Sequence, residues 1–413
     1  MCDAVLPMST LWRRRGILAG TAVVLAIAAA AVVAFVSRGG SDAASVRLEP
    51  SDGLLDAPLR MEVDGADRDA PIHLTLSSRS TDGVLWSGSR TVRADDDGRI
   101  SVDGGALLAS LRPTGVADSP KLGLFPLDDA VTLRVEARVG ARVLGEASAV
   151  RRMVEAQVSS IELTASHDGL VAHYWTVPPG ARRSTAVLAL GGSEGGYGNG
   201  LQARLLASHG YPVLELAYFG ARGVPNELRA IPLEYLARAL RWLHGRPGVE
   251  DVVVVGASRG GELALLVAST YPALVQGVAA YAPGYAVVPG SWTRGGEPVG
   301  SAADPDPRIP VERIRGPVLL VAGAADQVWN SAYAVSAVGE RRDEHGGRTE
   351  SLTFPEAGHG LTVAVPNLPF PTEATLEGLT LVSGGTRQAD ALARNAAWAR
   401  LLALLDRVGR DSG

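Results

Sequence analysis

A serine in a glycine-flanked pentapeptide is the first residue of this chain whose surroundings suggest chemistry. Residues 256–260 read Gly-Ala-Ser-Arg-Gly, after the apolar run DVVVV and before the helix-like segment GELALLVAS. G-x-S-x-G between a strand and a helix is typical of a nucleophile elbow, in which a tight turn exposes the serine hydroxyl. The alternative is a glycine-rich strand–helix turn with an incidental serine. The context favours the first interpretation, so we predict that Ser258 is a catalytic nucleophile.

A serine nucleophile needs a base to remove its proton and an acid to orient that base. In an elbow of this kind the acid and then the histidine follow the serine along the chain. Of the seven histidines, only His345 and His359 follow Ser258. His359 lies in a loop after an apolar strand, whereas His345 lies at a polar helix end. We therefore predict that His359 is the base.

The predicted acid is Asp326, which ends the apolar run PVLLVAGAAD. Catalytic groups collect at the carboxyl ends of parallel strands, which is where this aspartate falls. Asp304 and Asp306 lie in a proline-rich loop and are weaker candidates. Glu356 lies only three residues before His359, which indicates a surface position.

Two backbone amides are expected to stabilise the oxyanion that forms during acyl transfer. The first is the amide of Arg259, directly after the serine. The second should come from the glycine-rich loop that follows the strand TAVLAL, at Gly192, Ser193 or Glu194. The same loop could instead bind phosphate, but it lacks the Gly-Lys-Ser/Thr ending of a P-loop.

Two tryptophans are candidates for the wall of an acyl pocket. Trp292 lies in the proline- and glycine-rich insertion 283–317, and Trp329 follows the predicted acid by three residues. The alternatives are a surface loop for the insertion and a packing role for Trp329. The chemistry of a serine, a histidine and an aspartate requires no metal and no bound cofactor, so we expect none.

The elements that must position these residues begin at residue 158, where continuous apolar runs alternate with helical stretches. Such runs are typical of strands buried on both faces of a parallel sheet. The alternation of strand and helix indicates an α/β fold with right-handed crossovers. We predict that residues 158–413 form an α/β-hydrolase domain, a mostly parallel sheet covered by helices. The predicted helices lie at 233–244, 260–270, 330–342 and 388–408.

Residues 46–157 have a different texture, with short strands separated by turns. Val131, Leu133 and Val135 alternate with polar residues, a period of two that marks strands with one buried face. About 110 residues of this pattern predict an all-β, immunoglobulin-like sandwich. No catalytic cluster is visible in it, and we expect it to pack or to shape the substrate site.

An uncharged apolar run at 16–36 predicts a transmembrane helix. At about 1.5 Å per residue this run spans ~30 Å, the thickness of the bilayer hydrocarbon. Three arginines at 13–15 would keep the tail 1–15 in the cytoplasm and place the catalytic domain outside, after a linker at 37–45. The alternatives are a cleaved secretory signal, which would make the protein secreted, and a mispredicted translation start.

Charge and cysteine content argue against several further classes of function. The 39 basic and 44 acidic residues give a net charge of −5, which does not favour nucleic-acid binding. We expect a membrane and an acyl substrate as partners, and no nucleic acid. The single cysteine, Cys2, allows no intrachain disulfide and lies ahead of the apolar run, so it is not the nucleophile.

Several segments together resemble one known family. They are LGGSEGG, LASHGYPVLELAYFG, IPLEYLARALRWL, GASRGGELALL, GAADQVWNS and AGHG. They resemble the acyl-CoA thioesterase / bile acid-CoA:amino acid N-acyltransferase family over residues 158–405. The resemblance implies a β-sandwich followed by an α/β-hydrolase domain, with Ser258, Asp326 and His359 as a triad acting on acyl-CoA thioesters. The family's thioesterases use serine and its bile-acid acyltransferase uses cysteine, so Ser258 favours hydrolysis.

Three functions follow from these observations. The first is hydrolysis of acyl-CoA-type thioesters to a free fatty acid and CoA. The second is an extracytoplasmic esterase or acyltransferase on a lipid or cell-envelope ester, because the predicted anchor would turn the site away from the CoA pool. The third is an anchored binding protein with an inactive hydrolase fold, against which the intact serine, aspartate and histidine argue.

Overall fold

The structure is a computed structural model. It describes residues 44–126, 129–198, 200–300, 306–376 and 379–411. The predicted cytoplasmic tail and transmembrane helix lie outside the described residues, as does the predicted linker except for its last two residues. In the part of the chain that is described, no helix combines the length and the apolar character needed to cross a bilayer.

The alternating residues of the first part of the described chain form two sheets around one core. Their orders are β1-β3-β6 and β2-β9-β8-β4-β5-β7. The strands are β1 (Ser45–Glu49), β2 (Asp52–Leu54), β3 (Arg60–Asp64), β4 (Pro71–Arg79), β5 (Leu85–Arg93), β6 (Ile100–Asp103), β7 (Arg112–Thr114), β8 (Ala130–Val139) and β9 (Arg142–Arg152), and the short helix α1 (Gly105–Ala109) follows β6.

The predicted period of two is confirmed in β8, where Val131, Leu133 and Val135 are buried between more exposed neighbours. These residues share one hydrophobic core with Met61 and Val63 of the other sheet. The two sheets therefore stabilise each other through their apolar faces, as layered β-proteins do. An immunoglobulin-like strand connectivity stays a prediction.

The rest of the chain alternates strands with helices. The strands are β10 (Ser160–Leu163), β11 (Ala172–Trp175), β12 (Thr185–Leu190), β13 (Val213–Leu216), β14 (Ile231–Pro232), β15 (Asp251–Ala257), β16 (Gly277–Tyr281), β17 (Trp292–Arg294), β18 (Glu297–Val299), β19 (Val318–Gly323), β20 (Thr349–Phe354), β21 (Glu373–Leu376) and β22 (Leu379–Val382). The helices are α2 (Ala165–Asp168), α3 (Gly200–Ser208), α4 (Leu233–His244), α5 (Arg259–Thr270), α6 (Ser331–Glu344) and α7 (Arg387–Asp411). The four predicted helices are confirmed as α4 to α7.

The main sheet has the order β10-β11-β13-β12-β15-β16-β19-β20. From β13 to β20 its neighbouring strands are parallel, which confirms the predicted α/β fold. β10 and β11 form an antiparallel pair, and the helical turn α2 connects them. Gly169 ends α2 with a φ of 68°, a left-handed conformation that costs glycine little.

Both faces of the main sheet are buried, as continuous apolar strands require. In β15, Val252 and Val254 belong to a core shared with α4 and α5. Val253 and Val255 belong to the core on the opposite face, which is shared with α3 and α7. The helices therefore cover the sheet from both sides and leave its strand ends open for a site.

Four loops that follow parallel strands meet at one edge of the sheet. The strands β12, β15, β19 and β20 run in the same direction, so their carboxyl ends lie at the same edge. The loops after them carry the glycine-rich segment beyond Leu190, then Ser258, Asp326 and His359.

The chain returns to the first core after the main sheet is complete. Val365, Leu368 and Phe370 are buried in the same hydrophobic cluster as Leu74 of β4. The backbone amide of Leu124 donates a hydrogen bond to this segment, to the carbonyl of residue 369, over 2.9 Å. The segment directly after His359 is thus part of the core that the first two sheets form.

Candidate active site

The turn that carries Ser258 is a strained elbow between β15 and α5. Ser258 has a φ of 57° and a ψ of −121°, a conformation that non-glycine residues rarely adopt. A Cβ at Gly256 would lie 2.0 Å from the carbonyl oxygen of Gly260, and one at Gly260 would lie 2.2 Å from that of Gly191. A side chain at either position would collide with backbone atoms. Both positions therefore require glycine, as expected of a G-x-S-x-G turn.

Of the predicted triad, His359 lies within hydrogen-bond distance of both Ser258 and Asp326. His359 Nε2 lies 3.0 Å from Ser258 Oγ, and His359 Nδ1 lies 2.8 Å from Asp326 Oδ2. The side chains of His359 and Asp326 are 6% and 1% exposed. An ionised carboxylate can only accept, so Nδ1 carries the proton and Nε2 is left to accept from the serine hydroxyl.

Asp326 is held by more than the histidine. Its Oδ2 accepts a hydrogen bond from Ser331 Oγ over 2.6 Å, and its Oδ1 accepts from the amides of Val328 and Trp329 over 2.9 and 3.2 Å. Burial raises the pKa of Asp326, but the hydrogen bond with His359 and these other donors lower that pKa by more than burial raises it. The net pKa lies below its ordinary value, so the carboxylate is ionised at neutral pH and fixes the imidazole.

His359 begins a short 3₁₀ turn, His359–Val363, in the loop after β20. Its own backbone amide donates to the carbonyl of Ser383 over 2.7 Å. Ser383 belongs to the turn between β22 and α7, and a Cβ on the neighbouring Gly385 would lie 2.3 Å from the amide nitrogen of Gly358. His359, the candidate base, is therefore positioned by a segment well beyond it in sequence.

The candidate oxyanion donors come from two elements. Arg259 is the first residue of α5, where amides have no acceptor within the helix. The glycine-rich loop passes directly beside the nucleophile, since a Cβ on Gly192 would lie 3.1 Å from Ser258 Cβ. The amide of Gly192 donates to the carboxylate of Glu194 over 2.7 Å, so it is already engaged within the loop. The amides of Ser193 and Glu194 are the other candidates there.

The two candidate pocket tryptophans have different environments. Trp292 is fully buried, and its indole nitrogen donates to Glu262 over 2.8 Å. Glu262 also pairs with the side chain of Arg259, so this buried network ties the 283–317 insertion to the nucleophile helix. Trp329 is half-buried and lies edge-on to His359, with ring centroids 4.9 Å apart. It is the tryptophan next to the reacting groups.

Other histidines and acids named from the sequence lie elsewhere. His345 is exposed, and its Nδ1 lies 2.7 Å from the carbonyl oxygen of Arg341. Asp306 is paired with Arg308, which holds the pKa of that carboxyl at about 2. Asp304 lies outside the described residues. Ser331 and Ser383 contact the triad but were not predicted, although Ser331 stands five residues after the acid in the segment DQVWNS.

Sequence similarity to known proteins extends over most of this chain. The family model described as "BAAT / Acyl-CoA thioester hydrolase C terminal" matches residues 296–408, which contain Asp326 and His359. Acyl-coenzyme A thioesterase 6 of Mus musculus is 27% identical over 409 residues, covering 87% of this chain and 95% of that protein. Acyl-coenzyme A thioesterase 1 of Homo sapiens is 28% identical over 406 residues, with the same two coverages.

Among solved structures, dienelactone hydrolase from Anabaena variabilis matches 49% of this chain and 88% of its own, at 20% identity and a TM-score of 0.34. The curated relatives and the family model show that the chain is a thioesterase-like hydrolase, as the sequence predicts. The same comparisons support the resemblance of this chain to the BAAT / acyl-CoA thioesterase family, which the sequence motifs indicate.

Proposed function

We propose that this chain hydrolyses acyl-CoA-type thioesters to a free fatty acid and CoA, with Ser258, Asp326 and His359 as its catalytic triad. The observation that carries the proposal is the position of the His359 ring, 3.0 Å from the serine oxygen and 2.8 Å from the aspartate oxygen. The thioester substrate is supported by relatives named as acyl-coenzyme A thioesterases that align over nearly their whole length.

In the first step, His359 Nε2 takes the proton of Ser258 as Oγ attacks the thioester carbonyl carbon. The electron pair of the C=O bond moves onto oxygen, and the resulting tetrahedral intermediate collapses by breaking the C–S bond. The leaving thiolate takes the proton from the imidazolium and departs as a thiol. Asp326 fixes the reactive tautomer throughout and stabilises the imidazolium.

In the second step, water attacks the acyl-enzyme carbonyl while His359 accepts one of its protons. The tetrahedral intermediate then breaks its bond to Ser258 Oγ, and the proton returns to the serine. The products are a free carboxylic acid and the starting enzyme. An amine or alcohol in place of water would give acyl transfer instead.

The oxyanion of both steps would be stabilised by the Arg259 amide and one amide of the glycine-rich loop. Ser193 and Glu194 are the candidates for this second amide, because Gly192 would first have to release the Glu194 carboxylate. Each donor of this kind contributes roughly 3–4 kcal/mol to transition-state stabilisation. The amino end of α5 adds a partial positive charge beside the reacting oxygen.

A second candidate function is an extracytoplasmic esterase or acyltransferase acting on a lipid or cell-envelope ester. The uncharged run at 16–36, preceded by three arginines, favours it, because an anchor in that orientation would place the triad outside the cytoplasm. Protease added to intact cells tests this location. Digestion of the catalytic domain supports it, and full protection under conditions that digest a surface control contradicts it.

Kinetics with two substrate series separate the two functions. The full chain in detergent is assayed on acyl-CoA thioesters and on p-nitrophenyl esters of matched chain lengths. We expect higher kcat/KM on the thioesters. Ser258→Ala should abolish both activities and labelling by a fluorophosphonate, whereas Ser336→Ala, which changes an exposed serine on α6, should alter neither. A clear preference for oxygen esters would favour the second function, and labelling of the Ser258→Ala variant would contradict the triad.

A further inference from the structure

One helix contacts the backbone on both sides of His359. Asp390 Oδ1 accepts a hydrogen bond from the amide of Gly358 over 2.7 Å. Arg394, one turn further along α7, donates from Nη1 to the carbonyl of Gly360 over 2.8 Å. The residues directly before and after the base are therefore fixed by two side chains of α7 spaced four residues apart, which places them on one face of the helix.

Arg394 reaches beyond the base to the segment that completes the first core. Its Nε donates to the carbonyl of Val365 over 2.9 Å, and Nη2 donates to that of Leu368. The arginine is 1% exposed, and burial lowers its pKa to about 10. A planar guanidinium can bind three carbonyl oxygens at once, which a lysine ammonium of similar length does less well.

Asp390 is equally enclosed. It is 1% exposed, and a Cβ on Gly360 would lie 2.3 Å from its Oδ2, so the loop backbone passes against the carboxyl group. The charged groups that act on it are Arg394 on its own helix, and Asp326 and His359 from the loops after β19 and β20. The triad mechanism assigns no task to this buried acid.

We propose that Asp390 and Arg394 are positioning residues that hold the ring of His359 between Ser258 and Asp326 by fixing the backbone on both sides of it. The inference rests on the proposed triad but on no particular acyl group. Neither residue touches the reacting atoms. Both act through the two peptide groups that flank the base, and a shift of about 1 Å in a reacting group lowers a rate by up to ~100-fold.

The test compares variants of the full chain by kcat, KM and thermal unfolding. Asp390→Ala removes the acceptor for the Gly358 amide and should lower kcat at least about tenfold with KM within about twofold, since ground-state binding is not affected. Asp390→Asn keeps an acceptor oxygen and should recover part of the lost kcat. Arg394→Lys should lower kcat in the same way from the other side of the base.

Asp406→Asn is the matched control. Asp406 is a carboxylate on the same helix that accepts hydrogen bonds from Tyr211 Oη over 2.6 Å and Arg183 Nη1 over 2.8 Å. It lies 16 residues beyond Asp390, about 24 Å along the helix axis. Its variant should lower the unfolding temperature and leave kcat within about twofold of the wild-type value, because the helix face at His359 is unchanged.

A folded Asp390→Ala enzyme with the kcat of the Asp406→Asn control would overturn the inference, and so would an Asp390→Asn enzyme as slow as Asp390→Ala. If Asp390→Ala does not fold, Gly360→Ala replaces it, because its added methyl group displaces the carboxyl group without removing it. A fall in kcat with unchanged KM then supports positioning, and an unchanged kcat refutes it. Full activity of Ser258→Ala would instead refute the triad itself.

Discussion

The proposed nucleophile and the proposed base of this site are held in different ways. Ser258 lies in a turn between adjacent elements, β15 and α5, and the packing of two glycines within five residues of sequence sets its conformation. His359 lies in a loop whose backbone is fixed by Ser383, Asp390 and Arg394, all beyond it in sequence. The loop then continues into the core of the first two sheets.

Ser258 is held mainly by residues of its own turn, whereas His359 is held by residues that come near it only in the folded chain. The elbow is a strand, a turn and a helix contiguous in sequence, packed against the end of β12, so its sequence is short and recognisable. The proposed base instead depends on the carboxyl-terminal helix and on the first core, because both contact the loop that carries it. We therefore expect damage at the elbow to stop the chemistry directly, and damage around the base loop to affect chemistry and stability together.

Among the variants that compare the two sides of the site, the largest effect is expected for Asp326→Asn, which removes the carboxylate that orients His359. The amide cannot hold Nδ1–H as the carboxylate does, so the imidazole loses its reactive tautomer and kcat should fall by about 10³–10⁴. Ser331→Ala removes only one donor to the same carboxylate and is the control. An Asp326→Asn enzyme no slower than Ser331→Ala would show that this acid does not orient the base.

Gly260→Ala tests the packing of the elbow against the end of β12. The added Cβ would lie 2.2 Å from the carbonyl oxygen of Gly191 and 2.6 Å from that of Leu190, so backbone must move. We expect fluorophosphonate labelling of Ser258 to fall at least about 100-fold, because the serine leaves its position beside the oxyanion loop. Gly245→Ala, at the end of α4 with an ordinary φ of −76° and no atom closer than 3.4 Å to the added Cβ, is the comparison for loss of a glycine. Equal labelling of the two variants would contradict a packed elbow.

Leu368→Ala tests the dependence of the base on the first core. Leu368 is fully buried in the cluster that the first two sheets form, so the truncation should cost about 2–5 kcal/mol of unfolding free energy. We also expect kcat to fall, since Arg394 donates to the carbonyl of this residue. Leu74→Ala, in β4 of the same core, should cost similar stability with a smaller change in kcat. Equal kcat values for the two variants, measured well below their unfolding temperatures, would show that the core does not act on the base loop.

The smallest effect is a pH dependence of stability that belongs to the base side. Burial raises the pKa of Asp390 from 3.8 to about 6, although the hydrogen bond from Gly358 and the charge of Arg394 lower it. The folded state therefore binds this proton more tightly than the unfolded state, and the stability it contributes is present below pH 4 and lost as pH rises through about 6. The difference is about 3 kcal/mol at most.

Urea unfolding of the wild type and Asp390→Asn between pH 4 and pH 7 measures this pH-dependent contribution of Asp390 to stability. The stability of the wild type relative to the variant should decrease as pH rises across that interval. The contribution of Asp326 to stability depends on pH in the opposite direction. The pKa of Asp326 is lowered, so this contribution is lost only as pH falls below the ordinary range of an aspartate pKa. A wild-type advantage that grows from pH 4 to pH 7 would contradict a raised pKa at Asp390.

The sequence was sufficient for the parts of the molecule that are set locally. Apolar strands, amphipathic helices and the glycine-flanked Ser258 each have a recognisable period or spacing. The order serine, acid, histidine, together with positions after predicted strands, favours Asp326 and His359. The contacts of Asp390 and Arg394 have no such signal, because an acid and an arginine on a helix most often face solvent. Only the packing of α7 against the loop after β20 makes them buried groups beside the base.

Trapping the acyl-enzyme tests the central claim most directly. The full chain is mixed with a long-chain acyl-CoA, quenched in acid within milliseconds to seconds, digested and analysed by mass spectrometry, with His359→Ala as the control. We predict a burst of CoA release and an acyl group on the peptide that contains Ser258, and neither in the control. An acyl group on another residue, or CoA release with no covalent acyl-enzyme at any time point, would contradict the account.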